Sequence, residues 1–294
     1  MTTLDRPILV LGATGRQGGA TARELLKRGR QVHAFTRSPD TPAAQALAAA
    51  GATVVHGDLD DPDTIRTAMR DMAAVFSVQA ITAGLDVEVR QALEVVEAAH
   101  AAGVGHVVYS SVDGAERNSG VPHFDSKARV ERRLQELEIP TTVLRPVFFI
   151  DNFAGPLAPQ LVDGELVLRL ALRPDKPLQM IATDDIGVFA ADAIEQPGSH
   201  IGTAVALAGD ELTGPQIAAA IEAVTGTPTR FESQPVEEIR AFSNDMALMF
   251  EWINERGYDH ADIPTLRRQH PGLRSMRDWL DETGWQPAPS AASA

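Results

Sequence analysis

The chain has 294 residues, 44% of them apolar, and a formal net charge of −14 from 26 basic and 40 acidic side chains. It holds no cysteine, which excludes disulfides, zinc–thiolate sites, Fe–S clusters and a cysteine nucleophile together. So acidic a surface repels phosphate backbones and anionic lipid, and no apolar run reaches the roughly 18 residues that a membrane span needs.

The first predicted element is an apolar strand over residues 8–11. It runs into "GATGRQGG" and a helix over 16–28. Gly12, Gly15 and Gly18 therefore lie between a strand and a helix, where GxxGxxG reads as a dinucleotide-binding turn. Gly12 permits the tight turn, Gly15 lets backbone approach a pyrophosphate, and Gly18 lets the helix pack close to the sheet. The helix N-terminus offers unpaired N–H groups to the phosphates. A tight turn without a ligand is the plainer alternative.

The second strand, 32–36, ends in "AFTRSPD". NAD sites place an acid there for the ribose 2′-hydroxyl, but this chain has Arg37 and Ser38 and no acid before Asp40. A guanidinium binds a 2′-phosphate bidentately, so NADP(H) is expected over NAD(H). A surface arginine is the alternative. After a helix at 43–50 and a strand at 53–55 comes "HGDLDD". There Asp58 can accept a hydrogen bond from the adenine amino group while Leu59 covers the ring. A calcium loop fails on Pro62 and the missing loop glycine, and no metal site is expected.

Helices at 63–70, 87–102 and 126–137 alternate with strands at 74–78, 107–110 and 142–144. Asp61 before Pro62 is a helix cap, and Gly29, Gly51 and Gly103 are helix stops. Strand–helix alternation of this kind builds a Rossmann-type, doubly wound parallel α/β sheet. "KARVERR", from Lys127 to Arg133, reads as a mixed solvated helix face, so no direct nucleic-acid contact is expected. Residues 1–150 are expected to form the dinucleotide domain. Residues 151–285 are expected to form a smaller α+β substrate or partner domain, which can take chain from both halves, and 286–294 a loose tail. In the second half Phe242, Met246, Met249, Phe250 and Ile253 form a helical stripe, either core or a lid over a pocket.

Short-chain dehydrogenases protonate their substrate through Tyr-x-x-x-Lys, and that motif is absent. Four residues after Tyr109 stands Asp113, and four after Tyr258 stands Asp262. In "VPHFDSKARVE" Lys127 is kept, and His123 occupies the tyrosine's place. Together "GATGRQGG", "FTRSPD", "GDLDD", "HVVYSS", "HFDSKARVE" and "LRPVFFIDNF" resemble the NmrA-like family of atypical short-chain dehydrogenases, related to isoflavone-reductase-like enzymes. The resemblance is specific over about residues 6–155 and looser beyond, through "TDDIG" and "DWL".

The resemblance implies NADP(H) bound between a Rossmann domain and a small C-terminal domain. It puts phosphate contacts on Gly12, Ala13, Thr14, Gly15, Arg16 and Gln17, and the 2′-phosphate on Arg37 and Ser38. Gln79 and Ala80 fall beside the nicotinamide ribose. Phe149, Ile150, Asp151 and Asn152 fall beside the nicotinamide. Relatives carry further basic residues after the arginine, where this chain has Asp40 and Thr41.

Lys127 can bind the ribose hydroxyls or shuttle a proton, and the bland alternative pairs it with Glu131 one turn on. His123 can donate a proton or act as a capping or core residue. Ser110 and Ser111 can orient a carbonyl or satisfy backbone groups at a strand end. Two functions are compatible with these residues. One is an NADPH-dependent reductase of a small apolar quinone, enone or imine-like acceptor. The other is a catalytically inactive NADP(H) redox sensor acting through a protein partner. Either is expected in the cytoplasm, as a monomer or homodimer.

Overall fold

A computed structural model describes residues 6–79 and 84–287. They fall into two compact units. One is built from residues up to Asn118, Pro122–Arg145 and Thr183–Val205; the other from Ser119–Val121, Pro146–Ala182 and those from Ala206 on.

The first unit alternates strand and helix: β1 (Ile8–Val10), α1 (Arg16–Lys27), β2 (Val32–Thr36), α2 (Pro42–Ala49), β3 (Thr53–His56), α3 (Pro62–Ala68), β4 (Ala74–Ser77), α4 (Leu85–Ala101), β5 (Val107–Ser110), α5 (Pro122–Glu136) and β6 (Thr141–Pro146). Asp61 caps α3 by accepting from the N–H of Asp63, with Pro62 at the first helical position. Strands β1 to β6 pair in parallel in the order β3-β2-β1-β4-β5-β6. A seventh strand, β11 (Ala204–Leu207), joins at the β6 edge. The fold is a Rossmann-type doubly wound sheet. Both faces of β1, β4 and β5 are buried, as parallel strands between helices require. Leu9, Val75 and Val107 pack with Ile65, Val95, Val130 and Leu134 from the helices.

A further helix, α6 (Thr183–Glu195), lies on α1. Contact is close enough that a Cβ at Gly187 would sit 2.6 Å from the Ala20 carbonyl carbon. Arg28, the C-cap of α1, bonds Asp192 and Glu195, and Arg30 bonds Glu195. These ion pairs seat the helix whose N-terminus the glycine turn forms.

His106 precedes β5 and is buried, its Nε2 2.8 Å from the Thr142 hydroxyl. Burial, with a smaller contribution from His200, lowers its pKa from 6.5 to about 4. The folded protein thus keeps this imidazole neutral where the unfolded chain protonates it. Its contribution is complete above pH 6.5 and is lost as pH falls toward 4, up to about 3 kcal/mol. Urea denaturation at pH 7 and pH 4.5 is expected to show this loss in the wild type and a smaller one in His106→Gln. Equal pH dependence in the two proteins would assign the loss to carboxylates instead.

The second unit holds two small sheets. One is β12 (Asp210–Thr213), β10 (Pro177–Ile181) and β7 (Phe148–Phe149); the other is β13 (Thr229–Ser233), β9 (Glu165–Leu170) and β8 (Gln160–Val162). Its principal helices are α8 (Gly214–Thr225) and α10 (Asn244–Glu255). On α10 Met249, Phe250 and Ile253 are buried, as the apolar stripe requires, together with Ala247 and Trp252. Phe242 departs from the stripe. It precedes the cap Ser243 and is 74% exposed, because the helix starts after it.

Candidate functional site

The glycine turn sits at the carboxyl end of β1, beside the end of β4, where the strand order reverses. This is the topological switch point at which doubly wound sheets bind ligands. Gly12 adopts φ +62°, and a Cβ there would meet Val78 at 3.0 Å. A Cβ at Gly18 would lie 2.2 Å from the Gly12 carbonyl oxygen, so no larger residue fits without moving α1 off the sheet. Gly15 is the N-cap of α1. It supplies no side chain to the first turn, which also lacks an acid. The leading N–H groups are thereby left for an anion. Ala13 is buried under the turn, while Thr14 and Arg16 are exposed on it. Gln79, just past β4, is buried. Its amide nitrogen donates to Ser77 at 3.0 Å, and its carbonyl oxygen has no protein partner. A buried acceptor without a donor suits a ligand hydroxyl or amide. These features fit a dinucleotide. Ala80 lies outside the described residues.

Arg37 and Ser38 follow β2, both exposed, with no acid between them and the strand. Asp58 is half-buried and accepts the N–H of Asp60 at 3.0 Å, while Leu59 packs against the core. Asp60 is held below the usual carboxylate range by Gln91 and Arg90 hydrogen bonds and, more weakly, by the charge of Arg37.

The end of β5 and the helix α5 carry a polar network. Ser110 donates to the Gln17 side chain at 2.6 Å, so a strand-end hydroxyl is tied to the glycine turn. Ser111 donates to Glu131 at 2.5 Å. Glu131 also receives Arg145 at 2.6 Å. Both serines thus bond side chains rather than backbone. Lys127 does not pair with Glu131; its Nζ lies 2.6 Å from an oxygen of Glu88 on α4. The second Glu88 oxygen accepts from Ser126 at 3.0 Å. Glu88 was not among the residues the sequence singled out. Its signal was spacing: Gln91, Ala92 and Val95 follow at i+3, i+4 and i+7, which puts an acid on the buried face of α4.

His123 is half-buried, edge-on to Phe124, and its backbone carbonyl accepts from Ser126 at 2.9 Å. Tyr109 cannot replace the missing tyrosine. Its ring is fully buried, its hydroxyl has no protein partner, and burial beside Glu88 and Glu131 pushes its pKa well above 10.

Phe149 ends β7 in the second unit and is half-buried. Ile150, fully buried, opens a 3₁₀ turn, Ile150–Ala154. Asp151 and Asn152 on that turn are half-buried, and the Asn152 carbonyl accepts the N–H groups of Gly155 and Leu157.

The sequence model of the NmrA-like family matches residues 5–280. The chain belongs to the NmrA-like family. An NAD(P)H azoreductase of Xenophilus azovorans is 30% identical over 242 residues, 82% of each chain. Among solved structures, an NADPH-dependent quinone oxidoreductase of Escherichia coli, complexed with NADPH, superposes with a TM-score of 0.80. Identity is 25%, over 95% of this chain and 99% of that one. NmrA itself, a negative transcriptional regulator solved with NADP, superposes with a TM-score of 0.81 at 21% identity, over 95% of each chain. This likeness shows the shared NmrA-like fold. Among the described residues no helix is long and apolar enough to cross a membrane.

Proposed function

We propose that this NmrA-like protein is an NADPH-dependent reductase of a small apolar acceptor, a quinone, enone or imine-like compound. Gly12 to Gly18 would hold the pyrophosphate, Arg37 and Ser38 the 2′-phosphate, and Asp58 and Leu59 the adenine. Gln79, Ala80 and Lys127 would hold the nicotinamide ribose, and Phe149 to Asn152 the nicotinamide. When bound, the cofactor supplies a hydride. The protein's part is to exclude water, to orient the acceptor, and to deliver a proton from Lys127 or His123, directly or through water. The azo and quinone chemistry of the relatives supports the acceptor class.

The observation that carries this reading is the retained lysine: Lys127 is withdrawn from solvent, its side chain 12% exposed, where a solvated helix lysine would extend into water. NADPH oxidation against a panel of quinones, enones and azo dyes tests it. Turnover above the uncatalysed rate is expected with at least one acceptor.

A second reading is favoured by Ser110, whose hydroxyl is bonded to Gln17, and by the sealed phenol of Tyr109. The usual carbonyl-orienting serine and acid are then both unavailable, which suits an NADP(H) sensor acting through a protein partner. Micromolar NADPH binding with no turnover on the whole panel would replace the reductase reading with this one.

A further inference from the structure

We propose that Glu88 is the positioning residue for Lys127: it fixes the ammonium before the cofactor arrives. The proposal rests on the reductase reading for what the ammonium then does, and on geometry for the link itself. Glu88 lies in the first turn of α4, among Val89, Ala92 and Val95, which are all buried. Its side chain is 2% exposed. A carboxylate there is sustained only by partners, and it has two. One oxygen is 2.6 Å from Lys127 Nζ, and the other accepts from Ser126 at 3.0 Å. The same Ser126 hydroxyl lies 2.9 Å from the His123 carbonyl and shares its single proton between the two acceptors, so the carboxylate ties α4 to the turn of α5 that carries both candidate proton donors.

Nζ stands 5.6 Å from the centroid of the Tyr109 ring, within reach of its negative face. Glu131, one turn along α5, is bonded to Arg145 and Ser111 and does not compete for the lysine. A lysine side chain otherwise carries large rotamer freedom that a ligand must remove. Held by Glu88 and the ring, the ammonium has that freedom removed in the free protein. The contact to Glu88 is an ion pair at 2.6 Å, which leaves the ammonium's N–H groups for a ribose hydroxyl and an acceptor. Preorganisation of this kind raises affinity by lowering the entropy lost on binding.

Two readouts test the link. The chain has three lysines, Lys27, Lys127 and Lys176. In protein labelled with ¹⁵N-lysine, the Lys127 ammonium is expected to give a slowly exchanging signal. In Glu88→Gln its exchange should approach that of exposed Lys27. The second readout is a double-mutant cycle on NADPH affinity. Glu88→Gln is expected to weaken NADPH about tenfold, as for the loss of one buried charge contact that positions the ammonium. If Glu88 acts through Lys127, the pair Glu88→Gln/Lys127→Met should bind no more weakly than Lys127→Met alone. Lys127→Met leaves a buried carboxylate unpaired, so Glu88→Leu/Lys127→Met, which removes both charges, serves as the folded reference should the single variant fail to fold. Unchanged ammonium exchange in Glu88→Gln, or losses that simply add, would overturn the proposal. Failure of the wild type to bind NADPH would overturn the reductase reading, and the exchange measurement would still decide whether Glu88 fixes the lysine.

Discussion

Arg37→Ala is expected to weaken NADPH by about 1.5–3 kcal/mol and to leave NADH almost unchanged. Arg37 follows β2 directly and is exposed, with no acid where an NAD site would carry one. Asp60 feels the charge of Arg37 but is already engaged by Arg90 at 2.6 Å and Gln91 at 2.9 Å. Asp60 therefore draws little on Arg37, and a 2′-phosphate would meet a largely uncommitted charge. Titration calorimetry with both nucleotides measures the effect. Arg37→Lys should recover part of it, since an ammonium restores the charge without the planar fork. Equal losses for NADPH and NADH would show that Arg37 supports the turn rather than reading the phosphate.

The first half of the fold was legible because each strand of the parallel sheet is a short apolar run closed by a glycine or a cap. Strand 32–36 and strand 107–110 match β2 and β5 in full. Helix α5 starts at Pro122 rather than 126, since proline at the first helical position is compatible with a helix and the apolar periodicity begins later. Helix α6 gave no periodic signal. Nine of its residues are buried, so it lacks the polar face that periodicity detects. The edge position of β11 depends on a pairing with β6, about sixty residues earlier in the chain, which no local pattern encodes.

The site divides in the same way. The glycines follow from backbone geometry, and their spacing alone reveals them. Partners chosen across the fold do not. Lys127 has Glu131 at i+4, an ordinary helical pair, yet the lysine pairs with Glu88 on the neighbouring helix. Glu131 turns instead to Arg145, 2.6 Å away on β6. Sequence spacing fixes which residues share a helix face. It does not fix which of two carboxylates a lysine meets once the helices pack.

Lys127→Met is expected to lower turnover at saturating NADPH by about 10²–10⁴-fold, the usual loss when a general acid is removed. A lysine that only held the ribose would behave differently: more cofactor would restore most of the rate. The variant must be read beside Glu88→Leu/Lys127→Met, because an unpaired buried carboxylate destabilises the fold and mimics a catalytic loss. Agreement of the two variants in turnover assigns the loss to the missing ammonium. His123→Phe separates the remaining donor. It should flatten the pH dependence of turnover if the imidazole delivers the proton, and leave the profile's shape intact if Lys127 does. The choice of acceptor decides whether any of this is visible. A quinone takes a hydride with little help from a proton, so its reduction can survive both substitutions. An enone needs protonation in the same turnover, so its rate should fall with the donor while the quinone rate holds. Loss of both rates together would point to cofactor positioning, and loss of the enone rate alone to proton transfer.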